Sequence, residues 1–336
     1  MKIAVVGTGV AGAYLLNRLP SGVEAEAFEA RTEKNWYTVC AWGTSQPFIS
    51  DLVKEAGFNF DDYVLHKGKN MVVDLGDEEI NIPLRGLVTY DKHRLTEDML
   101  KGKKIHWGAQ IKEVDGKFKD FDAVVDATGM HRSLLPKVSE DLLIPSLEYQ
   151  VKSKELPYDD FVIKPYPGLT GYWWYFPLGD GMAHVGAGDL RGRYRYELDE
   201  FAKKYHCEIV KRIGRPVRVT PPKFMEPFSD GKVTGVGESI GTVYPMLGEG
   251  IIPSMQCVNL YVDHLGDIEG YRRAVLDHFS VYAKVYEFIK AKVEDRFSLM
   301  RMLPTLMSIF LYMRGNERRY GLQTRLGDFY KIATRL

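Results

Sequence analysis

Three glycines and one acid near the start of the chain have the spacing of a diphosphate cradle. The run Gly7-Thr8-Gly9-Val10-Ala11-Gly12 puts glycine at its first, third and sixth positions. In such a turn the first glycine permits the tight bend. The second lets a pyrophosphate approach the backbone, and the third lets a helix pack closely on a strand. A helix starting at Val10 and Ala11 offers unpaired N–H groups and partial positive charge to the same diphosphate. Glu29 lies 20 residues beyond Gly9, followed by Ala30. A carboxylate there can accept both ribose hydroxyls of an adenosine. Glycine-rich packing without a ligand is the alternative, and the elements on either side weigh against it.

Those elements read as βαβ. Residues 2–6 form a short apolar strand, and residues 10–19 a helix stopped by Pro20-Ser21-Gly22. Residues 23–29 form a second strand that ends on Glu29. Further on, residues 87–101 pass from strand to helix, and residues 121–127 form a strand ending at Thr128-Gly129. The first 135 residues thus alternate β and α, as a doubly wound sheet does. Residues 143–230 instead show short alternating runs broken by Gly and Pro, the mark of a mostly antiparallel sheet. The expected fold is α/β with an α+β second domain. A Rossmann-type dinucleotide-binding domain spans 1–142 and 231–265, an inserted antiparallel-sheet substrate domain spans 143–230, and a helical C-terminal region spans 266–336.

Composition narrows the partners. The 336 residues carry 45 Lys+Arg against 45 Asp+Glu, so the formal net charge is zero and nothing argues for nucleic acid. Cys40, Cys207 and Cys257 are odd in number and far apart. They form neither a disulfide framework nor a zinc-ligand spacing, so no metal is expected, and a reducing, cytoplasmic compartment is. Cys207 and Cys257 read as core. His131 and Arg132, after Gly129, read as solvent or phosphate neighbours, and His93 and His184 show no partner in sequence. The uncharged stretch Met302–Met313 is too short for a spanning helix, which needs about 20 apolar residues.

Two later segments separate one dinucleotide from another. Asp126-Ala127-Thr128-Gly129 is a strand ending in an A-T-G turn. The second runs from Gly235 through Gly237-Glu238 and Pro245 to Gly248-Glu249-Gly250-Ile251. With the N-terminal unit they resemble the FAD-dependent, p-hydroxybenzoate hydroxylase-like superfamily, which includes aromatic hydroxylases and isoprenoid reductases. The resemblance implies FAD as cofactor, with the acid at Glu238 on the ribityl chain and the helix start at Gly248, Gly250 and Ile251 facing the flavin ring. A helix dipole there would meet the negative charge of reduced flavin. The chain departs from the pattern at Glu238, where the family has Asp, and at Lys92, where it has an Arg with a bidentate fork.

Tyr172-Trp173-Trp174-Tyr175-Phe176-Pro177 narrows the resemblance further. It is similar to the Y-x-W-x-F-P signature of the geranylgeranyl reductase family. On a strand, Tyr172, Trp174 and Phe176 share one face. By spacing alone they form a core stripe; by resemblance they, with Pro177 and Pro245, wall a substrate pocket beside the flavin. Cys40, in Thr38-Val39-Cys40-Ala41-Trp42-Gly43, matches a cysteine that lies near the flavin in these reductases, with Ala41 in place of a glycine. Its thiol is either a proton donor or pocket wall, or a buried structural cysteine.

The resemblance implies an FAD-dependent oxidoreductase that saturates C=C bonds of an isoprenoid chain, on a lipid, diphosphate or quinone. Cys40 and Tyr172 are then the catalytic candidates. With one GxGxxG in the chain, electrons would come from a docking NAD(P)H or a small redox protein. An aromatic monooxygenase or halogenase on the same scaffold, or a non-catalytic flavoprotein, are the other readings. The Met-rich segment Leu299–Met313, flanked by Arg296 and Arg314, reads as a lipid tunnel or peripheral membrane contact, or as a packed helix.

Overall fold

The computed structural model describes residues 1–38 and 40–335; Val39, beside Cys40, and Leu336 lie outside the described residues. Lys2–Val6, with Ile3, Ala4 and Val5 fully buried, is an inner strand of a six-stranded sheet. The order is Ser229–Asp230, Val233–Gly235, Ala123–Asp126, Lys2–Val6, Glu24–Glu29, Ile105–Trp107. Every neighbouring pair is parallel except the first. A parallel pair needs a crossover, and the helix Val10–Arg18 supplies it between Val6 and Glu24. That helix packs along the helix Ile251–Asp263. Val6 pairs with Phe28 on one side and Asp126 on the other. The loops leaving these three strand ends therefore converge at the crevice where open α/β sheets bind ligands.

The second sheet has seven strands in the order Glu208–Gly214, Ser146–Lys152, Met182–Asp189, Gly171–Gly179, Phe161–Pro165, Asn70–Asp74, Glu79–Pro83. Pairing is antiparallel except between Phe161–Pro165 and Asn70–Asp74. Residues 70–83 thus pair away from the unit in which the sequence reading placed them. Their register, Met71 opposite Phe161, is a long-range pairing that no local pattern encodes. Period two governs the strand Gly171–Gly179. Trp173 and Tyr175 are buried and pack with Phe201 of the helix Tyr194–Lys204, while Tyr172, Trp174 and Phe176 face the other way.

A three-stranded sheet, Gly43–Ser45, Leu87–Tyr90 and Val64–Lys67, holds the segment after Cys40. The C-terminal region is helical: Ile268–His278, Ser280–Val293, Leu299–Gly315, Glu317–Tyr320 and Leu326–Arg335. Among the described residues, no helix is long and apolar enough to cross a membrane.

Candidate functional site

A cavity of about 660 Å³ is lined by the glycine turn, the inner face of the seven-stranded sheet, the turn before Ile251–Asp263 and the last helix. Its size falls within the roughly 300–1,000 Å³ of cofactor and ligand sites.

At one end lie Gly7, Gly9, Val10 and Ala11. Gly7 has φ +97°, and a Cβ there would sit 2.5 Å from the Ala127 carbonyl oxygen. A Cβ on Gly12 would lie 2.0 Å from the Gly7 oxygen, so Gly12 serves packing and stays out of the cavity wall. Gly9 differs: a Cβ there meets nothing within 4 Å, because it faces the open cavity. The three positions have the close bend, the open approach and the tight packing that a diphosphate turn needs. Glu29 and Ala30 line the same end. One Glu29 oxygen accepts from the Thr8 N–H at 3.0 Å and the Thr8 hydroxyl at 2.8 Å, and the other from the Arg31 N–H at 2.9 Å. Thr128 and Gly129 complete this end. Their turn is held by the buried Asp126, which accepts from the Thr128 N–H and hydroxyl and from the Leu134 N–H. His131 lines the cavity, but Arg132 does not. Expected at the surface or a phosphate, Arg132 is 5 % exposed and donates to the carbonyls of Pro136, Ser239 and Pro227. Unsatisfied loop carbonyls drew the guanidinium inward.

The middle of the cavity carries the denser chemistry. Cys40, Ala41 and Lys92 line it. Cys40 (φ +153°) and Trp42 (φ +63°) hold conformations that non-glycine residues rarely adopt. Burial pushes the Lys92 ammonium below its ordinary value, opposed by the neighbouring Cys40. Glu238 reaches the cavity, where one carboxylate oxygen pairs with Arg215 and the other accepts from the Arg218 N–H at 3.2 Å. Gly237 is behind it, against Ala11 and Ser254. Gly248, Gly250 and Ile251 line the wall at the helix start, with Pro245 before them. Glu249 caps that helix through the Ile252 N–H at 3.0 Å and pairs with the buried Arg319 at 2.7 Å.

Tyr172, Trp174 and Phe176 form the aromatic wall. The Tyr172 hydroxyl donates to the Leu247 carbonyl, and burial pushes its phenol pKa up. Pro177 sits behind the wall, buried, its carbonyl accepting from Thr89. Beyond Phe176 the lining becomes largely aliphatic, with Met71, Val73, Ile82 and Ile163 from the sheet and Ile332 and Ala333, beside Phe329, from the last helix.

Sequence reasoning missed three contributors. The last helix, Leu326–Arg335, was expected only as part of a helical tail. Arg215 had no motif around it. Glu148, 3 % exposed, also lines the cavity and lies 2.8 Å from Nδ1 of the fully buried His184. His184 therefore does have a partner. The one available signal was a charged residue amid the apolar alternation of Leu147–Val151.

The fold is shared with a reductase-like protein and with flavin-dependent halogenases. A geranylgeranyl bacteriochlorophyll reductase-like protein from Thermoplasma acidophilum superposes with a TM-score of 0.69 at 16 % identity, covering 87 % of both chains. A flavin-dependent brominase gives 0.66 at 11 % identity, over 95 % of this chain and 94 % of the other. By sequence, the chain is 24 % identical over 295 residues to an uncharacterised protein of Methanocaldococcus jannaschii, covering 75 % of this chain and 80 % of that one. It is also 27 % identical over 168 residues to digeranylgeranylglycerophospholipid reductase 1 of Methanosphaera stadtmanae, over 47 % of this chain and 40 % of that protein's length. No protein-family model matches the chain.

Proposed function

We propose that the protein is an FAD-dependent reductase that saturates C=C bonds of an isoprenoid chain. The observation that carries this reading is the continuity of the cavity. One space joins the open face of Gly9 and the Glu29 carboxylate to the helix start at Gly250, then runs past the aromatic wall into an aliphatic channel under the last helix. An FAD laid along it would have its diphosphate at Gly9 and its ribose at Glu29. The ribityl chain would meet Glu238 and Arg215, and the ring would face the Gly248–Ile251 helix start. When bound and reduced, FAD supplies hydride.

The protein's own residues do the rest. The aromatic and aliphatic walls exclude water and align the chain, which matters because an isolated alkene is a poor hydride acceptor. The fold shared with the Thermoplasma protein and the partial match to the Methanosphaera reductase support the substrate class. Electrons come from NAD(P)H or a small redox protein. On the helix Leu299–Gly315, Leu306, Ile309 and Met313 are buried, while Met300, Leu303, Met307 and Leu311 are exposed. That outer face, flanked by Arg301 and Arg314, supports peripheral contact with the membrane that holds such a substrate.

The test is anaerobic. The FAD-loaded protein is reduced with dithionite and a geranylgeranyl lipid is added. Reoxidation of the flavin with two hydrogens gained per bond supports the reading. No reoxidation by any prenyl lipid sinks it. The brominase-like fold supports a second reading, in which oxygen, in place of a prenyl lipid, reoxidises the flavin, and the oxidising equivalent so formed oxidises halide, which then replaces a hydrogen of an aromatic substrate.

A further inference from the structure

The buried group that the reading above leaves without a task is the pair Glu148–His184. Three strands of the seven-stranded sheet set its position. Glu148 pairs with Gly186, and Gly186 pairs with Trp174, so the three side-chain positions form one row on the cavity face. A Cβ on Gly186 would lie 2.2 Å from the Trp174 ring. Only glycine at that point lets the indole lie across the row towards the carboxylate. One row on, His184 lies between Gln150 and Phe176, with the Trp42 ring edge-on at 4.7 Å.

Glu148 reaches the cavity, while His184 stands behind it, fully buried. Oε1 of Glu148 and Nδ1 of His184 lie 2.8 Å apart, an ion-pair distance, and among the described residues neither side chain has another polar partner. Burying a carboxylate this way is costly unless something neutralises it. The His184 imidazole, 2.8 Å away, is placed to do so. A polar pair left so incompletely bonded inside a protein calls for an explanation in function. Tyr37 and Lys92, which line the cavity beside Cys40, both feel the Glu148 charge, so Glu148 belongs to the middle of the cavity. The Tyr172 hydroxyl, by contrast, is committed to Leu247.

We infer that Glu148 is the acid that protonates the substrate from the cavity wall, with His184 as the positioning residue that holds and restores its proton. The inference rests on the reductase reading. The C=C π bond is consumed and two C–H bonds form. One carbon takes the electron pair as hydride from reduced FAD, which is oxidised. Its neighbour takes the proton of Glu148, His184 returns a proton to the carboxylate, and solvent entering the emptied cavity at Glu148 reloads the pair. The electrons derive from the nicotinamide or redox protein that reduced the flavin.

The experiment has two arms. In the cofactor-free protein, infrared spectroscopy compares wild type with Glu148→Gln and His184→Gln. A buried protonated carboxyl band should vanish in the first variant and shift in the second. In single turnovers of pre-reduced, FAD-loaded protein with a geranylgeranyl lipid, reoxidation is followed in H2O and D2O. Glu148→Gln should slow it by about 10²–10⁴-fold, the usual range for a positioned acid, without changing FAD affinity. Glu148→Asp should recover part of the rate, and His184→Gln should lose less and shift the pH profile. Glu148→Gln reacting at the wild-type rate with an undiminished solvent isotope effect overturns this role alone. A wild-type protein that no prenyl lipid reoxidises overturns the reductase reading, and the acid role with it.

Discussion

The Tyr172 hydroxyl donates to the Leu247 carbonyl, tying the aromatic strand of one sheet to the turn that starts the helix Ile251–Asp263 beside the other. Both ends of this bond line the cavity. It fixes the distance between the aromatic wall and the helix start. Tyr172→Phe removes the donor and strands a carbonyl, a loss of about 1–2 kcal/mol. If that falls on the turn, FAD affinity drops roughly 5–30-fold, as read by titration of flavin fluorescence. Unchanged affinity together with unchanged Tm would show that the turn holds without the bond.

The glycines of the first turn separate ligand binding from folding. Gly9 has open space where its side chain would be, and its φ of −70° suits any residue. Gly9→Val should therefore fold with a Tm near wild type yet exclude the diphosphate, and the purified protein should be colourless. Gly12→Ala meets the Gly7 carbonyl instead. Overpacking of that kind costs about 1–3 kcal/mol, so this variant should lose Tm first and flavin only as a consequence. Thermal melts of both apo-proteins test the contrast, and equal melting losses would refute it.

Asp189 makes the start of the aromatic strand sensitive to acid. It is fully buried and accepts from Thr170 at 2.6 Å and from Arg193 Nε at 2.7 Å. Burial alone would raise its carboxyl, but the Arg193 and Thr170 hydrogen bonds outweigh that and hold it at about 2, against an ordinary 3.8. The folded value is depressed, so the stabilisation is complete above about pH 4 and is lost as pH falls through about 2. It amounts to roughly 2 kcal/mol. Asp189→Asn should melt a few degrees lower than wild type at neutral pH, and the gap should close between about pH 4 and 2. A gap that stays constant over that window would place the stabilisation elsewhere.

What the sequence displayed and what it hid differ in range. The bend at Gly7, the tight packing at Gly12, the acid at Glu29 and the shared face of Tyr172, Trp174 and Phe176 are local facts of spacing. Each lands where a turn or a period of two puts it. The sheet to which the strands between 70 and 83 belong was not legible, because Met71 finds Phe161 across 90 residues. Glu148 and His184 are 36 residues apart on neighbouring strands, and nothing in either strand names the other. The last helix was legible only as part of a helical C-terminal region, and its place over the aliphatic end of the cavity depends on contacts with the core, such as the bridge from Leu322 to Leu84.

Backbone strain at Cys40 gives a prediction in which stability and activity move in opposite directions. Its φ of +153° is open to glycine and disfavoured for a residue with a Cβ, and Trp42 two residues on is similarly placed at +63°. Strain of this kind costs on the order of 1 kcal/mol or more and persists where the surroundings enforce it. Cys40→Gly should relieve it and raise Tm by a degree or more. Cys40→Ser keeps the Cβ and the strain, and should melt like wild type. If the strained segment exists to aim the thiol into the cavity, both variants should change the visible spectrum of bound flavin. Both should also slow reoxidation by a prenyl lipid, the glycine variant more because its backbone is freed. A glycine variant that is more stable and equally active would show that the strain serves the chain path alone. A glycine variant that is less stable would show that the thiol's packing outweighs the strain, and Cys40 would then be a structural cysteine after all.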